Sequence, residues 1–569
     1  MMRCALKRRC ASGLLSGILM FGLAGCIALP LASDPAPFEV SVPDVDPVEF
    51  AADGPLKNSD PQTLISDFLL ASAAGTNDDF ATARLFLTAA SQQAWAPDDE
   101  ALIYDTASSP SISIKGDEGS GTLTATVTVP AVASVNSEGV MTRSEDSMIS
   151  STFNLVQEGG QWRIDSPEDA FIVSQTAFSA AYEQANLYFP ATTGDALVAD
   201  PRWYPSRRLA SHLLSGLIAG PSQTIEAAVT NAIPGGTTFP AQGVEISDQI
   251  AKVDLSAPTV GEGTPRQLLA WEVTETLLQD SQISTVDLSL SGVSLEGVET
   301  PSLPSYSLDT RIALQAGRIG SLAGSTLTPF DLPISPASSA SYPAVSPINR
   351  DVVAWREGNS LVVSASGAQG AHSSVDVGSA GNEAGAPSID RFGWVWSPAS
   401  TSGPIIATTP DGQVGRVPMN ETGVVSVLRV VISPDGARAL VLSGTPSNAT
   451  AWMFAVARDG SGVPLGLEDG QAILGIHGQI ADLSWAGSSS YVVVRSAESS
   501  ADSDDMELDE VAIGGFVSQS EVPDQALAVS AGLTTANVCV KVRSGSVTCR
   551  TGALWQAMPA TFADVRFPG

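Results

Sequence analysis

Val430-Val431-Ile432-Ser433-Pro434-Asp435-Gly436-Ala437-Arg438-Ala439-Leu440-Val441-Leu442-Ser443 reads as strand, turn, strand. The apolar runs 430–432 and 439–443 flank Asp435-Gly436, where aspartate can bond back to the backbone and glycine accepts a positive φ. The same unit recurs through the C-terminal half. Runs at 352–355, 361–364, 452–457, 491–495, 510–513 and 525–529 alternate with turns such as Asp411-Gly412 and Asp459-Gly460. At ~40–50 residues per four-stranded blade, residues 310–569 hold five or six blades of a β-propeller. A pair of β-sandwiches fits the same strand spacing and stands as the alternative.

Upstream, helical and strand periods mix. Residues 61–170 predict an α+β domain. Leu64, Phe68 and Leu69 share a helical face, and Gly75-Thr76-Asn77 stops that helix. Asp78 or Asp79 can cap a second helix carrying Phe80, Ala83 and Phe86, before strands at 101–104, 111–115, 123–130, 150–158 and 162–165. About 165–205 reads as a connector containing Trp203, Tyr204 and Pro205. A second α+β unit then covers 205–295, with helices at 209–218 and 266–278, a hairpin around Asp248-Gln249, and a closing strand at 285–291.

The N-terminus has the layout of an export signal. Arg3, Lys7, Arg8 and Arg9 precede an uncharged apolar run, 13–25, which ends Leu23-Ala24-Gly25-Cys26. Leu23, Ala24 and Gly25 are the expected signal-peptidase recognition residues and Cys26 the lipidated residue. Residues 1–25 are then the lipoprotein signal peptide and 26–60, rich in Pro, Ala, Ser and Asp, a flexible tether. A plain signal with an incidental cysteine is the competing reading. The expected location is the extracytoplasmic face of the cell membrane, held by lipid. With 28 basic against 61 acidic residues and a net charge of −33, the chain repels nucleic acid and anionic headgroups.

Of five cysteines, Cys4 and Cys10 leave with the signal and Cys26 carries lipid. Cys539 and Cys549 flank a three-residue turn, Arg543-Ser544-Gly545. Pairing Val542 with Ser546 sets the two cysteines opposite each other, so a disulfide is predicted.

Leu214, Gly220-Pro221-Ser222, Ala228-Val229, Ala232-Ile233-Pro234 and Val253-Asp254-Leu255-Ser256 together resemble a GerMN domain, which implies an extracytoplasmic binding role. A lipobox, this unit and the propeller occur in order. With Pro387-Ser388-Ile389-Asp390-Arg391-Phe392-Gly393-Trp394-Val395-Trp396 and the stretch quoted first, the chain resembles the actinobacterial LpqB lipoprotein family. That resemblance implies a multidomain, non-enzymatic accessory protein. Its partner would be the extracellular domain of an MtrB-like sensor kinase, through which it modulates the regulator MtrA in cell-wall and division homeostasis. A cell-wall glycan or peptide ligand is the rival reading.

Catalytic motifs are missing. His212, His372 and His477 lie far apart without metal-ligand spacing, and no nucleophile elbow or phosphate loop occurs, so no cofactor or metal is expected. The acidic run Asp502, Asp504, Asp505, Glu507, Asp509 and Glu510 lacks a calcium-loop glycine and reads as a solvated loop. Trp355, Trp394, Trp396, Trp452 and Trp485 fall in or beside strand runs and read as blade packing.

Overall fold

The helix Pro61–Ala73 starts because Asp60 accepts hydrogen bonds from the Gln62 and Thr63 N–H groups and Pro61 needs no partner. A computed structural model describes residues 52–569 except 145–146, 259–264, 349, 368, 379–385, 400–403, 422, 425, 477 and 498–504. The signal, Cys26 and most of the tether lie outside the described residues. The helix buries Leu64, Ile65, Phe68 and Ala71. Beside it is a seven-stranded sheet whose long central strand, Thr122–Asn136, alternates buried and open positions. The second predicted helix shrinks to one turn, Ala81–Arg84. Asp79 and Phe80 both take positive φ, which ends any helical run before it can start.

The connector expected at 165–205 is instead structured throughout. Phe171–Ser174 joins the sheet parallel to Glu100–Tyr104, and Gln175–Ala181 is a helix. Tyr182–Pro190 and Leu197–Pro205 then form a hairpin paired over nine positions. Leu187, Phe189 and Val198 of this hairpin share one core with Leu213 and Leu217 of the helix Leu209–Ala219 and with Leu269 and Val273 of Arg266–Leu277. The middle unit therefore begins at Tyr182, not at 205. Its sheet runs Glu245–Ser247, Ile250–Leu255, Thr285–Leu290, Val293–Ser294. Asp248 and Gln249 make the hairpin turn with φ of 51° and 61°. Ile250–Leu255 lies parallel to Thr285–Leu290, with the Arg266–Leu277 helix in the connection.

Among the described residues the C-terminal half is a propeller of six four-stranded sheets, five of them meandering in sequence order. The sixth is closed by Asp564–Arg566, which pairs with Ile312–Gln315. The described residues do not form the alternative, a pair of β-sandwiches. Trp355, Trp394, Trp396 and Trp485 are buried between sheets, and Trp452 is partly buried. Asp390 shows why the 387–396 string has its composition. One carboxylate oxygen accepts from the Phe392 and Trp394 N–H groups; the other accepts from the Trp396 indole at 2.8 Å and from Arg458 at 2.7 Å. A buried acid with four donors holds the turn and the tryptophan together.

The predicted cysteine register is present. Cys539 faces Cys549 on the strands Asn537–Val542 and Val547–Thr551, and the two are joined by a disulfide. Val542 N–H donates to Ser546 across the turn, where Gly545 has φ 88°. The acidic run is corrected. Asp502 and Asp504 lie outside the described residues, while Met506–Ala512 is a strand rather than a solvated loop. Asp509 is buried against Arg495 at 2.6 Å, and Glu510 pairs with Arg550. Alternation along a strand turned these acids toward arginines of their own and a neighbouring sheet.

Candidate functional site

Propellers usually present ligands at the axis, where the innermost strands converge. Here that space is about 30 Å³, bounded by Pro343, Pro387, Val431, Trp485 and Ser530 and stopped by Phe567 to Gly569. Phe567 N–H donates to Ser530 and Gly569 N–H to the Val345 carbonyl. Of the arginines lining this space, Arg429 pairs with Asp482, whose other oxygen accepts from Val529 N–H, and Arg566 lies 3.5 Å from Asp564. A space of this size holds about one water.

The larger openings lie where the α+β units meet each other and the propeller. Arg391, from the 387–396 string, reaches out of the propeller to Asp195 in the middle hairpin, at 2.6 and 3.0 Å, and to Thr193. The Arg391 hydrogen bonds hold the Asp195 carboxyl below its ordinary range. Arg438, from the stretch quoted first, donates to the Ala199 carbonyl at 2.6 Å while fully buried. On the other side Gln184 and Trp203 donate to the Ile513 and Gly514 carbonyls, and Arg143 of the first unit to Tyr491 of the propeller. Side-chain donors thus bond across every junction.

Between the first and middle units is a cleft of about 320 Å³. Phe171, Tyr182 and Tyr204 supply its aromatic surface, and Asp98, Glu138 and His212 its titratable groups. Tyr204 lies against the helix Leu209–Ala219 only because residue 216 is glycine: a Cβ there would stand 2.2 Å from the Tyr204 hydroxyl. Its ring stacks on His212 at 5.9 Å and 10°. Burial pushes the Tyr204 hydroxyl up to about 12, and burial and then the Asp98 charge raise Tyr182. Burial, then Arg208, lowers His212 and favours its neutral form. Burial raises Asp98, opposed by Arg84 and reinforced by Asp79 and Asp99.

The sequence did not point to this cleft. His212, on the helix Leu209–Ala219, lines it, and Trp203-Tyr204-Pro205 reads from the sequence only as part of a connector. His372 is an exposed strand residue far from any such cluster in sequence, and His477 lies outside the described residues. Among the described residues, no group of three or more His, Cys, Asp or Glu is placed to hold a metal ion.

Comparison with known families fits this architecture. The model of the LpqB lipoprotein N-terminal domain matches residues 54–179, and that of the LpqB lipoprotein β-propeller domain matches 317–568. The chain belongs to the LpqB lipoprotein family. Lipoprotein LpqB of Nocardia farcinica is 28% identical over 53% of the chain, and that of Bifidobacterium longum 25% identical over 78%. The matched stretch spans about half (52%) of the Nocardia relative and 79% of the Bifidobacterium one. The middle unit lies between the two LpqB domain matches. Among solved structures, TolB from Acinetobacter baumannii is similar over 70% of this chain and 89% of its own, at 13% identity and a TM-score of 0.33. The family is one of lipoproteins, and no described helix is long and apolar enough to cross a membrane.

Proposed function

We propose that this chain is a lipid-anchored accessory protein of the extracytoplasmic membrane face, attached through Cys26 after cleavage behind Leu23-Ala24-Gly25. It binds the extracellular domain of an MtrB-like sensor histidine kinase and biases two-component signalling in cell-wall and division homeostasis. One observation carries the reading beyond family membership. Where Phe567 to Gly569 meet the innermost strands the axial space is about 30 Å³, and Arg429 beside it is paired with Asp482, which supports docking on the outer surfaces of the propeller. Acylation would confine those surfaces to the membrane plane and raise their effective concentration toward a membrane partner.

The test is binding of residues 27–569 to the purified extracellular domain of an MtrB-like sensor kinase. Saturable binding is expected; no binding at tens of micromolar would reject the reading. Cys26→Ala is expected to leave the fold intact and release the protein from the membrane fraction in cells. The open cleft between the first and middle units favours a second reading, a cell-wall glycan or peptide-binding lipoprotein. Saturable binding of purified wall fragments would support it.

A further inference from the structure

The cleft between the first and middle units holds polar groups that the fold does not use. Among the described residues, the Tyr182 hydroxyl, the His212 ring nitrogens and the Asp98 carboxylate have no hydrogen-bond or ion-pair partner. By contrast, Asp390, Asp200 and Asp509 each accept from several donors. The arginines near the cleft already hold hydrogen bonds. Arg202 is bound to Asp200 and the Glu138 carbonyl, Arg84 to the Gln92 and Trp95 carbonyls, and Arg208 to Asp79. Arg207 donates to the Asn77 carbonyl. Among the described residues, the charged side chains lining the space without a hydrogen-bond partner are carboxylates, Asp98 and Glu138, beside aromatic rings.

That combination selects a ligand class. An anion would meet two carboxylates that lack partners, while the arginines nearby already hold other acceptors. A purely apolar ligand would cover Asp98 and the Tyr182 hydroxyl without pairing them, at the cost of their desolvation. A cationic head on an alkyl chain satisfies both the carboxylate and the aromatic surface. The space, about 320 Å³, is at the lower end of small-ligand pockets and suits a chain of a few methylenes. Asp98, Pro205 and His212 also line an adjoining hollow of about 100 Å³ together with Asp79, Arg207 and Arg208.

We infer that this cleft binds a primary alkylammonium, with Asp98 as its ionic contact, the Tyr182 hydroxyl as a hydrogen-bond acceptor and Phe171 and Tyr204 as apolar surface. The ammonium has two sources, a lysine side chain in a peptide or a free alkylamine. The inference rests on the cleft alone and stands apart from the kinase reading.

The experiment titrates residues 27–569 with Nα-acetyl-lysine methylamide, with its Nε-acetylated form, and with n-butylamine, by calorimetry. Capped lysine or butylamine should bind saturably, and the Nε-acetylated probe about tenfold more weakly or not at all. The tighter of the two amines identifies the source. Asp98→Asn, an exposed position whose change should leave the melting temperature in place, should weaken amine binding about tenfold, and Tyr182→Phe by a smaller factor. Equal binding of charged and acetylated probes, unchanged affinity in Asp98→Asn, or no amine binding at all would each overturn the inference. Kinase-domain binding measured on the same samples reports separately on the earlier reading.

Discussion

Glu272 sits fully buried on the helix Arg266–Leu277, one oxygen accepting from Ala232 N–H at 2.9 Å and the other with no partner among the described residues. Burial pushes its carboxyl up to about 8 against an ordinary 4.5, with the Ala232 bond opposing. Between those values the folded chain holds a proton that the unfolded chain has released. The site's contribution to stability is thus full below about pH 4.5 and is lost progressively as pH rises toward 8. Glu272→Gln copies the neutral shape. It should melt several degrees above the parent at pH 8.5, and the gap should close by pH 5; an equal gap at both values would contradict the assignment.

At the scale of elements, the hairpin Asn537–Val542/Val547–Thr551 carries a prediction about oxidation. Both sulfurs are buried with Val547, Phe562 and Val565. Unfolded, non-reduced protein should show no titratable thiol from Cys539 and Cys549, and replacing both by serine should cost roughly 2–4 kcal/mol of stability. Two thiols per chain would refute the bridge. This element was readable from the sequence because a local turn sets its register: Gly545 and the Val542–Ser546 pair suffice. The blade strands were readable for the same reason, through alternation and Asp-Gly turns. The hairpin Tyr182–Pro190/Leu197–Pro205 was not. Asp200-Pro201-Arg202 interrupts its apolar pattern, and those residues are accommodated by remote partners, Ser222 and the Glu138 carbonyl. The cleft was hidden more deeply, since Asp98, Tyr182 and His212 converge only after two units dock. Asp509 misled for a related reason: its arginine lies on the neighbouring strand.

For the molecule as a whole, the junctions decide whether it behaves as one body. Arg391 is nearly enclosed while Asp195 is half exposed, so solvent screens part of their attraction. Arg391→Ala should cost about 1–2 kcal/mol and raise amide exchange around 193–199 and 435–437, leaving the far blades unchanged. Because Asp195 is held below its ordinary range, the clamp is complete at neutral pH and weakens as pH falls through that lowered value. Uniform exchange in parent and variant would show that Arg391 is not the clamp.

The pairing of Asp564–Arg566 with Ile312–Gln315 also has a meaning in time. A chain being synthesised or threaded through a membrane emerges N-terminus first. Five sheets can pair strand by strand as they appear, but the sheet at Ile312–Gln315 waits with an open edge until the last blade has followed. The ring therefore acts as a test of completeness. A chain interrupted before residue 564 keeps an unpaired edge and an unplugged axis, which marks it for proteolysis, whereas the finished ring hides both.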